Sequence, residues 1–389
     1  MAGITTDIFV ASNLIWQTLK RRLSGSIENA PDLSLFSANM QKLLDCAPTN
    51  IFESYHWVDF SANQPPWLPT QVELQKGDNL SCFSEGRIYA NKALDIYVPL
   101  SMQIWFRVGQ GDIFRGTQKN HSFEAQDDGV LQLGNYFPND WKTRSGDRTQ
   151  DDKVYGTTSG EAKTLIIKWA VPALEGLRAL RELGDVDKRL SNEIDRLERG
   201  QTTPLGWSYL WNVGPSDIYQ QRTDSDNTPC INCHTRGDAG ILQKSVDLPL
   251  NHSSEISWRW CMHNLASQIR EDSMPSHDYL SIAVEFDNGR DITYYWSNSL
   301  EPGTGYNCPL PNWKGKEYHV VVRSGELGLG TWLNERRNLY EDYQFYMGEP
   351  PARIVKVWLI ANSIFQRGDA SCDYSDIVLT NSDGAHKIL

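Results

Sequence analysis

The sequence lacks the signatures that most often disclose a function. No stretch approaches the ~18 consecutive apolar residues of a membrane-spanning helix. Basic residues are outnumbered, 37 against 49 acidic, giving a net charge of −12. That balance supplies no basic stripe for nucleic acid. There is no Gly-x-Ser-x-Gly elbow, P-loop or Gly-x-Gly-x-x-Gly turn, and no His-x-x-x-His with a neighbouring acid. The common hydrolase, ATPase, dehydrogenase and metalloprotease readings lose their usual support. Cysteine is too sparse, at 7 in 389 residues, for a disulfide scaffold, and an odd count leaves one thiol unpaired or paired between chains. Met1–Val10 has no basic n-region, so the chain as given does not read as carrying a secretory signal. Sequons at Asn79, Asn120 and Asn251 keep a secretory route open, and the compartment stays undetermined.

What is present is aromatic: 14 Trp, 16 Tyr and 12 Phe. Such residues suit β-sheets and binding pockets. Residues 1–50 read as a helical arm. Ile8, Leu14, Ile15, Leu19 and Leu23 recur at helical spacing, and Phe36, Met40, Leu43 and Leu44 mark a second short helix. Residues 51–171 read as a β-sandwich, with apolar runs at Leu80–Phe83, Met102–Val108, Val130–Leu133 and Thr164–Trp169 bounded by turn residues. The polar, Gly-rich stretch 138–162 reads as a long loop, and long loops in compact domains are often functional. Residues 172–204 read as a helical bridge, started by Pro172, broken at Gly184–Asp185 and stopped at Gly200.

Residues 205–250 read as an irregular linker and a first strand of a second sandwich, 205–389. Its strands are expected at Ile256–Trp260, Leu280–Phe286, Ile292–Trp296, Tyr318–Arg323, Ile354–Ile360 and Tyr374–Leu379. Cys230-Ile-Asn-Cys233-His234 has the spacing of covalent haem attachment. Its Pro- and Gly-flanked setting places it in a loop, as a local disulfide or free thiols. A single Cys-x-x-Cys also falls short of four zinc ligands.

Alternate residues of a strand face opposite sides of a sheet. By that parity Lys356 and Trp358 oppose Val355, Val357 and Leu359. His319 and Arg323 share the face of Val321. Asp376 goes with Tyr374 and Val378, and Trp258 and Trp260 oppose Arg259. One charged residue per strand opposite an apolar face describes a solvated outer surface, or a ligand-lined concave one.

Three resemblances follow. Ser257-Trp258-Arg259-Trp260, Asp278-Tyr279, Tyr295-Trp296, Arg323-Ser324-Gly325, Gly330-Thr-Trp332, Glu335-Arg-Arg-Asn338, Asp342-Tyr343, Glu349-Pro350-Pro351 and Asp376-Ile377 make the second half similar to an uncharacterised β-sandwich family best known from bacteria. Trp67-Leu-Pro-Thr, Leu74-Gln-Lys-Gly77-Asp78 and Leu131-Gln-Leu133 make the first half resemble PA-I type galactose-binding lectins. Those lectins hold sugar through calcium, but the Asp/Asn-Asn ligand pairing is absent here. Two sandwiches with a helical bridge also resemble, in architecture, the fungal hetero-Diels–Alderases of tropolone sesquiterpenoid biosynthesis.

The last resemblance implies loss of water from a hydroxymethyl tropolone to a quinone methide, which then adds to a terpene such as humulene. It implies no cofactor and no metal, and small-molecule partners only. On that reading Arg323 and Lys356 bind the oxygenated ring and Asp376, if buried, is the acid. Trp258, Tyr295, Trp358 and His319 contact substrate, at the domain junction or on the concave face of the second domain. The competing expectation is a carbohydrate-binding protein without catalysis. The fold class expected is mainly β, two jelly-roll or β-sandwich domains with a helical arm and bridge.

Overall fold

The computed structural model describes residues 16, 30–62, 67–93, 95–137, 140–149, 151–200, 203–224 and 227–389. The fold is mainly β, and the chain divides into two compact units. Of the expected arm, Ile8, Leu14, Ile15, Leu19 and Leu23 lie outside the described residues.

Among the described residues, the N-terminal unit comprises those between 30 and 200 and 211–216. Its larger sheet runs in the order Phe52–Ser61, Ser159–Trp169, Asn79–Asn91 and Ile96–Val98, with Asn120–Glu124 also pairing Asn79–Asn91. Its smaller sheet is Leu68–Leu74, Gly129–Asn135 and Ile104–Val108. Apolar side chains such as Leu80, Ile88, Phe106, Leu131 and Ile166 form a core shared by strands of both sheets.

Helix Leu33–Cys46 forms where the spacing predicts, with Phe36, Met40, Leu43 and Leu44 buried and the Asp32 side chain capping its start. The expected bridge resolves into helices Ala173–Leu183 and Arg189–Arg199. Gly184 ends the first at φ +148°, a conformation that favours glycine. Both helices are part of this unit. Leu177, Leu180, Leu190 and Ile194 pack with Phe36, Phe83, Leu165 and Trp169 in a second cluster. Arg189 and Lys119 both pair with Glu85, a buried carboxylate that they hold below its ordinary range against the opposing effect of burial.

The C-terminal unit holds, among the described residues, 16, 203–210, 217–224 and 227–389. A seven-stranded sheet runs Gly305–Asn307, Glu317–Ser324, Asp291–Ser297, Tyr279–Phe286, Arg353–Asn362, Ala239–Pro249 and Ser208–Tyr209. A six-stranded one runs Tyr219–Thr223, Pro229–Arg236, Asp369–Asn381, Glu255–Asn264 and Trp332–Asn338, with Gly384–Lys387 added on Asp369–Asn381. Their inner faces share a core in which Trp258, Trp260, Phe286, Tyr294 and Tyr374 are among the large side chains.

Three local expectations change. The stretch 205–250, expected as an irregular linker and a first strand, supplies four strands, because its Pro and Gly residues punctuate short strands. Cys230 and Cys233 lie in strand Pro229–Arg236, where residues three apart face opposite sides. They form no local disulfide, and all seven cysteines are free thiols. Asp376 sits at φ +49°, and the core residues of its strand shift from Ala370, Cys372 and Tyr374 to Ile377 and Leu379. The chain bulges there, so Asp376 leaves the face of Tyr374.

Candidate functional site

The three residues expected to carry catalysis are held in separate ion pairs. Arg323 Nε contacts Glu335 Oε1, and the guanidinium lies 5.8 Å over the Trp296 ring. Lys356 Nζ donates to Glu285 Oε2 at 2.6 Å. Arg259 Nη1 donates to Asp376 Oδ2 at 3.0 Å, and the Asp376 side chain is 40% exposed. The burial that an acid role for Asp376 requires is absent. Each of the three is satisfied by its own partner: Lys356 and Asp376 pair with the neighbouring strand of their own sheet, and Arg323 reaches Glu335 on the other sheet.

The expected substrate-contacting residues divide. Trp258 belongs to the core, stacked on Tyr294 at 5.6 Å. Trp358 is buried on the other face of its sheet and donates from Nε1 to Glu285 Oε2 at 3.1 Å. Tyr295 and His319 are brought together, ring centroids 5.7 Å apart, in a buried cluster with Tyr279 and Tyr306. That end of the outer sheet face is not solvated. The segments bearing His277 and Cys308 cover it.

The densest unpaired chemistry lies in the N-terminal unit. Trp105, Ile113, Tyr136, Trp141 and Tyr155 form a cluster of their own, with Trp67, Phe137 and Trp211 against it. Strand Ile104–Val108 places Trp105, and the end of strand Gly129–Asn135 leads into Tyr136. The loop singled out by its length supplies Trp141, Arg148 and Tyr155. Trp67 stacks on Trp141 at 5.5 Å, and Trp105 and Tyr136 meet Trp141 edge-on at 5.2 and 4.7 Å. Gly134 allows this approach, since a Cβ there would fall 2.2 Å from the Tyr136 ring.

Arginines face the rings: Arg107 over Trp67 at 4.8 Å and Arg148 over Tyr136 at 5.1 Å. Asp140 accepts from Tyr155 Oη at 2.7 Å and lies 4.0 Å from Arg148. Burial pushes the Tyr136 phenol up to about 12, partly opposed by Arg148, so it stays protonated at neutral pH. Buried polar groups are ordinarily paired. Here the Nε1 atoms of Trp67, Trp105 and Trp141, the Tyr136 hydroxyl and Arg148 Nη1 are buried with no hydrogen-bond partner among the described residues. All five are donors. Gln103 Oε1 is an unpaired acceptor on the helix leading into the Trp105 strand.

The five residues bearing these donors were not among those predicted from sequence. Two signals pointed to them: the long loop carries Trp141 and Arg148, and Trp67 opens the stretch that resembles a lectin.

Residues 212–378 match the family described as "Protein of unknown function (DUF3047)", a span of less than half the chain. No curated protein matches the chain. Among solved structures, the N-terminal domain of EclA, a PllA-like lectin, is 12% identical, with 29% of this chain and 94% of that one covered at a TM-score of 0.22. The xyloglucanase domain of NopAA, a type three effector from Sinorhizobium fredii in complex with cellobiose, is 10% identical, covering 46% and 96% at 0.29. TmCBM61 in complex with beta-1,4-galactotriose is 10% identical, covering 47% and 92% at 0.24. Likenesses at these scores carry nothing about what this chain binds.

Proposed function

We propose that the protein binds a planar, acceptor-rich ring compound in the N-terminal aromatic cluster, as a hetero-Diels–Alderase joining a tropolone quinone methide to an apolar terpene such as humulene. The observation that carries the reading is the donor excess: five buried donor atoms without a hydrogen bond among the described residues, set among aromatic faces, one of them on Arg148, whose charge is paired with Asp152. A tropolone offers a flat ring to stack and clustered oxygens that accept. Hydrogen bonds from the indoles and Arg148 would hold those oxygens and stabilise charge as it builds on them. The protonated Tyr136 hydroxyl would donate to the departing hydroxyl as its C–O bond breaks. The tropolone O–H proton leaves with that hydroxyl as water, giving the quinone methide. Its oxygen and methide carbon then bond to the two alkene carbons, and the protein's part is to hold the partners in reactive geometry. The rings pack against one another, so binding displaces the loop carrying Trp141 and Arg148.

A sugar is the second reading, because aromatic faces also stack on sugars. A hydroxyl-rich ligand needs acceptors as well as donors, and the cluster offers few.

The test is incubation with a hydroxymethyl tropolone and humulene, following adduct by mass spectrometry and binding by tryptophan fluorescence. The expected result is a single stereoisomer formed faster than without protein, with turnover lost in Arg148→Gln. A rate and product mixture equal to the protein-free control would overturn the reading. Fluorescence quenching by oligosaccharides, without turnover, would replace it with the sugar reading.

A further inference from the structure

Four side chains from three separate segments meet on the outer face of the seven-stranded sheet. His277 follows the turn Met274–Ser276, Cys308 follows strand Gly305–Asn307, and Glu317 and His319 lie two apart on strand Glu317–Ser324. Residues two apart on a strand share a face. Register completes the group: Asp291 opposes Glu317, and Thr293 and Tyr306 oppose His319 on either side. All four side chains are buried, and one ligand atom from each lies within 4.8 Å of the others.

The hydrogen bonds around the group orient it. His277 Nδ1 lies 2.7 Å from the backbone oxygen of Glu271. A carbonyl only accepts, so Nδ1 carries the proton and Nε2 presents its lone pair, 3.4 Å from Cys308 Sγ. A ring nitrogen tied to a backbone carbonyl, with the other nitrogen free, is the usual arrangement behind a metal-bound histidine. The Glu317 carboxylate is oriented in the same way, accepting from Tyr279 Oη at 3.0 Å and Thr293 Oγ1 at 3.2 Å. The independent sign is His319. Its ring is wholly buried, yet neither nitrogen makes a hydrogen bond. Glu317 Oε1 stands 3.5 Å from Nε2, beyond good hydrogen-bond range.

We propose that His277, Cys308, Glu317 and His319 form a closed tetrahedral zinc site that braces the outer face of this sheet. Two imidazoles, a thiolate and a carboxylate are the nitrogen, sulfur and oxygen donors that zinc takes. Thiolate and carboxylate together cancel the dication, so the filled site is neutral, as a wholly buried site requires. Zinc bonds of about 2.0–2.3 Å place tetrahedral ligand atoms about 3.3–3.8 Å apart. The His277–Cys308 pair already has that spacing, and closure of the rest is about 1 Å. On binding, the S–H bond of Cys308 breaks, the sulfur–zinc bond forms, and the proton passes to solvent. A nucleophilic role for Cys308 fits less well. The thiol is 1% exposed and burial pushes its ionisation up, whereas reactive cysteines are partly open and easily ionised.

The test uses the full chain. Zinc content is measured after expression in zinc-supplemented medium, and chelator-stripped protein is titrated with Co2+. The expected results are one zinc per chain, and a cobalt spectrum with strong tetrahedral d–d bands and a sulfur-to-cobalt charge-transfer band. Cys308→Ser loses the charge-transfer band, and His319→Gln weakens cobalt binding tenfold or more. Folded wild-type protein with neither zinc nor tetrahedral cobalt bands overturns the proposal, and that outcome needs no variant to fold. A spectrum unchanged in both variants overturns it too, by placing the metal at other cysteines.

Discussion

A buried donor without a partner costs about 1–3 kcal/mol of desolvation. Five of them in one cluster of the N-terminal unit make stability there run against ligand binding. Tyr136→Phe removes one such hydroxyl and keeps the ring that packs on Trp141 and Trp67. The free protein is expected to gain up to about 1 kcal/mol, read from chemical denaturation, while turnover falls roughly tenfold, the worth of one hydrogen bond. A variant less stable and equally active would show that the hydroxyl serves packing and not a ligand. Arg323, Lys356 and Asp376 are a contrast. Each charge already has a partner, so the sequence showed correctly that charged residues interrupt the apolar strands but not that each is neutralised by a residue of another strand, Arg323 by one on the other sheet. Parity reports which face a residue takes and nothing about its neighbour on the next strand.

At the scale of elements the strands were legible because the signal is local. Apolar runs such as Leu280–Phe286 and Ile354–Ile360 fall inside strands Tyr279–Phe286 and Arg353–Asn362. The bulge at Asp376 was not legible, since a single positive φ leaves no compositional mark. The break between the two long helices was legible, and its geometry makes a prediction. Asp185 accepts from the backbone N–H groups of Leu190 and Ser191, each at 2.9 Å, and so caps helix Arg189–Arg199 from outside it. Asp185→Ala is expected to cost about 1 kcal/mol in chemical denaturation, with Asp185→Asn recovering part of the loss. No loss in either variant would mean that packing of Leu190 and Ile194 alone holds the helix. The four proposed zinc ligands were illegible for the opposite reason: His277 and His319 are 42 residues apart, and only the tertiary fold brings them together. Chelation should therefore act locally. Hydrogen exchange is expected to rise in strands Gly305–Asn307 and Glu317–Ser324 and to stay unchanged in strand Asn120–Glu124; uniform change in all three would count against a brace confined to the C-terminal unit.

For the whole chain, the two units answer acid by different groups, and the sign in the N-terminal unit can be worked out. His121 is packed, partly buried, against Phe106 and Phe123, and desolvation, reinforced by Arg196 and Arg115, pushes its ionisation down to about 3 from an ordinary 6.5. Between those values the unfolded chain binds a proton that the folded one refuses, so stability falls as pH drops from about 6.5 towards 3. Glu85 acts in the same direction at lower pH. Its carboxylate is held below its ordinary range, so the stability it lends is present above that range and lost as pH falls through it. The two effects are separable because the loss linked to His121 begins near pH 6.5, whereas the loss linked to Glu85 begins lower, in the carboxylate range. His121→Phe keeps a flat ring in the space above Gly116, where a Cβ would already fall 2.5 Å from the His121 ring. The variant is expected to flatten the dependence of unfolding free energy on pH between about 6.5 and 5 and to leave the steeper loss below pH 4.5. The measurement is urea denaturation across that range, with hydrogen exchange in strand Asn120–Glu124 reporting the N-terminal unit. An unchanged slope between pH 6.5 and 5 would mean that His121 takes up its proton in the folded state, and that the aromatic cage around it opens to water well before the unit unfolds.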